Sequence, residues 1–461
     1  MTKRTERDSI GTLSVPSGAY FGVHTARAIE NFPITGVTLS HFPEFIAALC
    51  QVKLAACRAN RELGALESER AEFIEQACRV IITGAHHDSF VVDMIQGGAG
   101  TSTNMNANEV IANLAAELAG RDKGVYDFIH PNDHVNCSQS TNDVYPTAIR
   151  LAVLAKAEGL IREQRALLGS FAAKARAFAD IHKVGRTQLQ DAVPMTVGRE
   201  FASYAAALTE EISRLEDLSK ILRVVNLGGT AIGTSINAPD GYAELSVKYL
   251  SEISGHDLRS ASDLIDASSD MGALVSYSGL LRRVAIKVSK ICNDLRLLSS
   301  GPRAGLGEIV LPAVQAGSSI MPGKVNPVIP EVVSQVAYQV VGNDLTITMA
   351  AEAGQLQLNA MEPVIAYNLL ESIRILENAL RTLRVRCVDG ITVDRDRCAA
   401  LLAGSLVLVT ALVPTLGYET SATVAKDAQK NGRTVEDIVV ERGLMTRNDF
   451  RETISRSLAH L

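Results

Sequence analysis

No CxxC pair, no cluster of basic residues and no apolar run near the start of the chain can be found in this sequence. The seven cysteines, at 50, 57, 78, 137, 292, 387 and 398, are odd in number and widely spaced. That pattern argues against a disulfide framework or a zinc site and fits a reducing compartment. Basic residues number 45 against 51 acidic ones, a formal charge of −6. Without a lysine- or arginine-rich block, nucleic acid is not an expected partner. The opening MTKRTERDSIG is charged and does not read as a signal peptide, so the expected location is cytoplasmic. The longest apolar run, 398–413, is broken by Gly404, Ser405 and Thr410 and closed by Pro414. It is short for a membrane span and is expected to be a buried helix.

Familiar cofactor motifs are missing as well. His86, His87, His130, His134 and His182 show no HExxH spacing, so no metal ligand set is expected. GGAGTSTN at 97–104 lacks a following GK[ST], Gly323-Lys324 is followed by Val325, and no strand pattern precedes these glycines. Neither a phosphate-cradling loop nor a dinucleotide-binding fold is expected, and hence no nucleotide cofactor.

What is abundant is helix. Leu274, Tyr277, Leu281, Val284, Val288, Ile291, Leu295 and Leu298 alternate in steps of three and four, a heptad seam over more than three repeats. Tyr204, Leu208, Leu215, Leu218, Leu222 and Val225 form a second seam, and Val153, Leu160, Leu167, Phe171 and Phe178 a third. Seams of this length pack against one another, so the middle of the chain is expected to be a bundle of long helices. Such bundles commonly extend their apolar surface between subunits, which predicts a homo-oligomer. With 461 residues, about three domains are expected: an N-terminal helical domain at 1–140, a central bundle at 141–396, and a small helical domain at 397–461. Helical patterns at 43–63 and 67–83 belong to the first. In the last, Thr434 with Asp437 and Thr446 with Asp449 have capping-box spacing, and Gly443 closes the helix between them.

Four stretches rich in Gly, Ser, Thr and Asn read as loops leading into helices: 96–104, 138–143, 185–191 and 316–327. The second precedes a long helix with Pro146 expected in its first turn. In the fourth, Asn326 is a good N-cap and Pro327 fits the first helical position, so a helix is expected from about 327. Lys324 would then lie beside the positive end of a helix dipole, which is favourable only if an anion joins them. Taken singly, hydroxyl and Asn residues before helices are commonly caps, and Gly-rich loops are commonly tight turns.

Together the loops resemble the aspartase/fumarase superfamily. GSSIMPGKVNP at 317–327 is similar to its signature loop. GGAGTSTNMNANEV at 97–110, HPNDHVNCSQSTND at 130–143 and LGGTAIGTSIN at 227–237 are similar to its other blocks, in the family's order. The resemblance implies a three-domain, mainly α-helical homotetramer with a twenty-helix core and sites assembled from three subunits. It implies elimination of a group from a dicarboxylate to give fumarate. AYFGVHTARAIENFPITG at 19–36, GRTQLQDAVPMT at 185–196 and AAEAGQLQLNAMEPVI at 350–365 are similar to the branch that removes ammonium from L-aspartate. Class II fumarases carry a histidine where Gln188 stands, as do some members of the ammonia-removing branch, so Gln188 departs from the one and is in keeping with the other. Gln188 cannot titrate near neutral pH, which favours loss of an amine over loss of hydroxide.

By resemblance, Thr101, Ser140, Thr141 and Ser319 would bind the carboxylate that becomes an enediolate. Lys324, Asn326 and Thr187 would hold the other carboxylate, with Asn142 and Gln188 near the amino group and Ser318 as the base. His130, Asn132 and Asp133 match a second dicarboxylate site seen in fumarases. Activation by a divalent cation stays open, as do a fumarase-like hydratase, another substituted-succinate lyase and a non-enzymatic helical oligomer.

Overall fold

A computed structural model describes residues 2–459, and the fold is mainly α-helical. The chain opens on β1 (Lys3–Asp8) and β2 (Gly11–Pro16), then α1 (Val23–Asn31), α2 (Pro43–Glu62), α3 (Ser68–Ile82) and α4 (Thr101–Leu118). Next come α5 (Thr141–Ala177), β3 (His182–Thr187), β4 (Gln190–Thr196), α6 (Val197–Ser219), β5 (Val224–Val225), α7 (Tyr242–Ser254), β6 (Arg259–Ser260) and α8 (Leu264–Ala267). The remainder is α9 (Gly272–Leu298), β7 (Ile309–Val310), α10 (Val328–Glu352), α11 (Glu362–Arg386), β8 (Thr392–Val393), α12 (Arg395–Gly404), α13 (Val409–Leu416), α14 (Tyr418–Asn431), α15 (Val435–Glu441) and α16 (Arg447–Leu458). The strands are short and form only two-stranded sheets among the described residues. The β1–β2 hairpin was not expected, because the charged run KRTERD shows no apolar alternation.

Two compact units divide these elements. The first holds the described residues up to Ile161, with Ser213–Arg283 and Tyr338–Leu376; the second holds Arg162–Ile212, Val284–Ala337 and the described residues from Glu377 onward. All eight residues of the α9 seam are buried, as a heptad stripe requires once its neighbours are in place. So are the five residues of the seam read along α5. The second seam outlasts its helix: α6 ends at Ser219, a 3₁₀ turn follows at Lys220–Arg223, and Val225 lies in β5.

Side-chain bonds tie the long helices together inside each unit. In the first, Ser278 and Arg282 of α9 both donate to Asp344 of α10, and Asn343 of α10 donates to Ser372 of α11. In the second, Lys287 of α9 pairs with Glu210 and Glu211 of α6, Gln164 of α5 donates to the Leu208 carbonyl of α6, and Arg384 of α11 pairs with Glu163 of α5. Phe171, Phe178, Phe201 and Tyr204 interlock beside them, edge to face except for the tilted pair Phe171–Phe201, each edge-to-face pair worth about 0.5–1.5 kcal/mol beyond area burial.

Three local expectations need correcting. Pro146 lies in the second turn of α5, inside the helix. Its missing N–H leaves the Asn142 carbonyl without a helical donor, and Asn226 Nδ2 supplies the bond at 3.0 Å. The apolar run 398–413 is not one helix: α12 and the stretch after Ser405 are bent by 67°. Ser405 Oγ accepts from Val407 N and donates to Asp191 at 2.5 Å, so its side chain begins a new helical segment instead of continuing the old one. Leu402, Leu412, Val424, Val439 and Phe450 then gather into the core of the C-terminal helices. Thr446 and Asp449 form the full capping box, whereas Thr434 caps Asp437 N without the return bond. Gly443 ends α15 at φ +67°.

Candidate active site

The first glycine-rich stretch is a turn that depends on its glycines. Gly98 and Gly100 have φ of +90° and +88°, and a Cβ on Gly100 would lie 2.5 Å from the Tyr145 ring. The turn delivers Thr101 as the exposed first residue of α4, with its hydroxyl donating to the Gly98 carbonyl at 2.7 Å. Gln96 Oε1 satisfies the Thr103 N–H in the same first turn.

The second stretch is a reciprocal cap at the start of α5. Ser140 Oγ accepts from Asn142 N at 3.2 Å, and Asp143 Oδ1 accepts from Ser140 N at 2.9 Å. The other Asp143 oxygen accepts from Gly228 N and Thr230 N at 3.0 and 3.1 Å, which docks a further loop, 226–237, onto the cap. Burial pushes the Asp143 carboxyl up to about 6 against these three bonds. Asn142 Nδ2 donates to the Ala231 carbonyl at 2.7 Å, leaving Oδ1 as the remaining acceptor of that side chain. Thr141 Oγ1 accepts from Asn104 Nδ2 at 3.1 Å. Ser140, Thr141 and Asn142 thus stand side by side at the start of α5, tied to α4 through Asn104, and Thr101 begins α4 in the same unit.

The third stretch is not a loop into a helix. It is the tip of the β3–β4 hairpin, with Thr187 paired to Gln190 and a bulge after Gly185. Gln188 and Leu189 have φ of +54° and +63°, the two-residue turn whose twist suits a hairpin. Each costs an L-residue about 1–2 kcal/mol, so the turn persists because the flanking ladder holds it. β3 is anchored by buried charge: Lys183 pairs with Glu200 and Glu308 at 2.6 and 2.8 Å, and Arg186 with Glu308 at 2.8 Å. Thr187 and Gln188 stand exposed at the tip, in the second unit.

The fourth stretch closes on itself in the second unit. Gly317 N donates to the Lys324 carbonyl at 2.8 Å and Asn326 Nδ2 to the Gly317 carbonyl at 2.7 Å. A Cβ on Gly317 would meet Lys324 O at 2.6 Å. Asn326 is thus not the N-cap expected from the sequence, since its amide is turned back to close the loop, while α10 starts at Val328, where a helix from about 327 was expected. Ser318 Oγ accepts from Ile320 N at 3.2 Å and Met321 N at 3.0 Å. Ser319 and Lys324 are exposed, and Lys324 has no ion-pair partner among the described residues. None of the described hydrogen bonds joins the hairpin tip to this loop.

A lyase family model matches residues 11–342, and a fumarase C C-terminus model matches 408–457. The first match covers more than half of the chain. The chain belongs to this lyase family. An aspartate ammonia-lyase of Pseudomonas aeruginosa is 57% identical over 445 residues, 96% of this chain and 94% of that one. Among solved structures, the fumarate lyase:delta crystallin of Brucella melitensis bound to cobalt is 55% identical with a TM-score of 0.96, covering 98% of both chains. The class II fumarase of Schistosoma mansoni is 34% identical with a TM-score of 0.92, again over 98% of both.

Sequence reasoning missed the support of this lyase's loops. Asn104, Asn106, Asn108 and Asn113 are all buried in α4, and Lys53 is fully buried in α2. Four asparagines in one helix, where their propensity is poor, were the available signal that α4 carries a polar interior.

Proposed function

We propose that this lyase eliminates ammonium from L-aspartate to give fumarate, reversibly and through an enediolate. The observation that carries the reading is the 57% identity, over nearly the whole chain, to an aspartate ammonia-lyase, set against 34% to a class II fumarase.

The chemistry gives the four loops their tasks. A Cβ proton beside a carboxylate is weakly acidic, and its removal leaves a doubly charged enediolate that preorganised donors must stabilise. Thr101, Ser140, Thr141 and Ser319 bind the carboxylate that becomes the enediolate. Lys324, Asn326 and Thr187 hold the other one, while Asn142 and Gln188 lie near the amino group. Ser318 removes the proton. Two backbone N–H groups already point at its Oγ, and donors to the charged form favour an alkoxide. Loop closure over substrate completes that environment. Gln188 cannot protonate a leaving hydroxide, and ammonia needs no such help. The reading calls for no cofactor.

The assembly that fits is a homotetramer. Tyr338, Val341, Leu345 and Met349 are 65, 37, 63 and 61% exposed on α10, an apolar stripe at helical spacing of the kind that marks an interface. Five long helices per chain would supply the twenty of a tetrameric core. A division near 140 and 396 into three domains belongs to the same reading. All seven cysteines are free, as suits a reducing cytoplasm, and no single helix is long and apolar enough to cross a membrane among the described residues.

The test is fumarate absorbance with a panel of substituted succinates. Formation from L-aspartate and not from malate is expected; the reverse preference would make the protein a hydratase.

A further inference from the structure

Beneath Thr141 lies a chain of buried amides that ends on a lysine. Lys53 Nζ donates to Asn136 Oδ1 and Gln139 Oε1, both at 2.9 Å. Asn136 Oδ1 also accepts from Asn104 Nδ2 at 3.1 Å and Asn108 Nδ2 at 3.2 Å. The same Asn104 nitrogen reaches Thr141 Oγ1 at 3.1 Å. All of these residues lie in the first unit.

An amide side chain has nearly the same shape either way round, and its partners decide which end points where. Lys53 contributes only donors to these contacts, and at the other end of the amide Asn136 Nδ2 donates to the Gln139 carbonyl at 3.2 Å, so Lys53 and that carbonyl together fix which way Asn136 faces. An ammonium has three N–H bonds and a neutral amine two, so both acceptors are served in either protonation state. Were Asn136 turned round, its nitrogen would meet the donor nitrogens of Asn104 and Asn108, and its oxygen would face the Gln139 carbonyl. Gln139 is fixed independently, since its Nε2 donates to the Val135 and Cys137 carbonyls at 3.0 Å each.

We propose that Lys53 is a positioning residue that sets the polarity of this chain, so that the Thr141 hydroxyl accepts from the protein and directs its own proton to the substrate carboxylate. Lys53 turns the Asn136 oxygen inward, that oxygen turns the Asn104 nitrogen toward both itself and Thr141, and the Thr141 proton is left for the ligand. The inference rests on the reading that Thr141 binds the enediolate-forming carboxylate.

A double-mutant cycle on the assembled full-length enzyme tests it, with kcat and KM for L-aspartate read alongside a check of helical content and oligomeric state. Lys53→Met and Thr141→Val should each lower kcat/KM by about ten- to a hundredfold. The double variant should be no worse than Thr141→Val alone, because both changes remove one and the same donor. If the two effects multiply, or if Lys53→Met turns over like the parent, the polarity role is overturned. If Thr141→Val itself matches the parent, it is the substrate reading of this loop that fails. Should Lys53→Met not assemble, Asn104→Leu cuts the chain one step nearer the site and is judged in the same cycle with Thr141→Val.

Discussion

On the proposed reading, two side chains in the 317–327 loop carry separable parts of the reaction. If Ser318 acts only in proton removal, as proposed, Ser318→Ala should nearly abolish kcat while leaving fold and substrate affinity close to the parent. Retention of more than about a few percent of turnover, measured by fumarate absorbance, would take the base away from Ser318. Lys324 is the loop's only full positive charge and is exposed without a partner, ready for a ligand carboxylate. Lys324→Met should raise KM as well as lower kcat, by about 1.5–3 kcal/mol for a charge-assisted bond. Asparagine lacks the carboxylate that forms the enediolate and should be a very poor substrate. Comparable rates on aspartate and asparagine in the same assay would contradict the assignment of the two carboxylate subsites.

At the scale of elements, buried charge ties pH to stability. Burial lowers Lys53 of α2 to about 7 from an ordinary value of 10.5, with Asp143 of the α5 cap and the thiols of Cys50 and Cys78 as its facing titratable groups. Between these two values the unfolded chain holds the Lys53 proton and the folded chain releases it. The contribution of Lys53 to stability therefore rises with pH from about 7 upward. Urea midpoints compared at pH 7 and 9 should rise more for the parent than for Lys53→Met; equal changes would show that Lys53 is charged throughout. The helices themselves were legible from residue spacing. The steps of three and four from Leu274 to Leu298 place one face of α9 inward, and all eight residues are buried. The loops were legible in position and less so in form. Gln188 and Leu189 gave no glycine to mark a hairpin turn, because the bulged ladder of β3 and β4 imposes their positive φ. Asn326 has the composition of a cap, yet the carbonyl of Gly317, distant in sequence, takes its amide. Buried Lys53 gave no sign in the sequence because its partners, Asn136 and Gln139, come from outside α2, whereas the α4 asparagines signalled a polar helix interior without naming what it bonds.

At the scale of the whole molecule, helix length separates the loops along the chain. Thr141 begins α5 and the hairpin bearing Thr187 follows its other end; the helix has 37 residues, about 55 Å at 1.5 Å per residue. Antiparallel packing of several chains would bring opposite ends together, so each site is expected to draw its loops from different subunits. Thr141→Val, weakened about ten- to a hundredfold, and Ser318→Ala, nearly inactive, should show more activity than either alone when unfolded and refolded together. Random assembly would give roughly a quarter of sites a normal copy of both loops. Hybrid tetramers that stay as inactive as the separate variants would place each site within one chain. The central claim, amine elimination, meets its most direct test in simultaneous measurement of ammonium and fumarate from L-aspartate. The account predicts that the two appear in equal amounts and that ammonium added to fumarate regenerates aspartate. Fumarate formed from malate, with no ammonium released from aspartate, would contradict it.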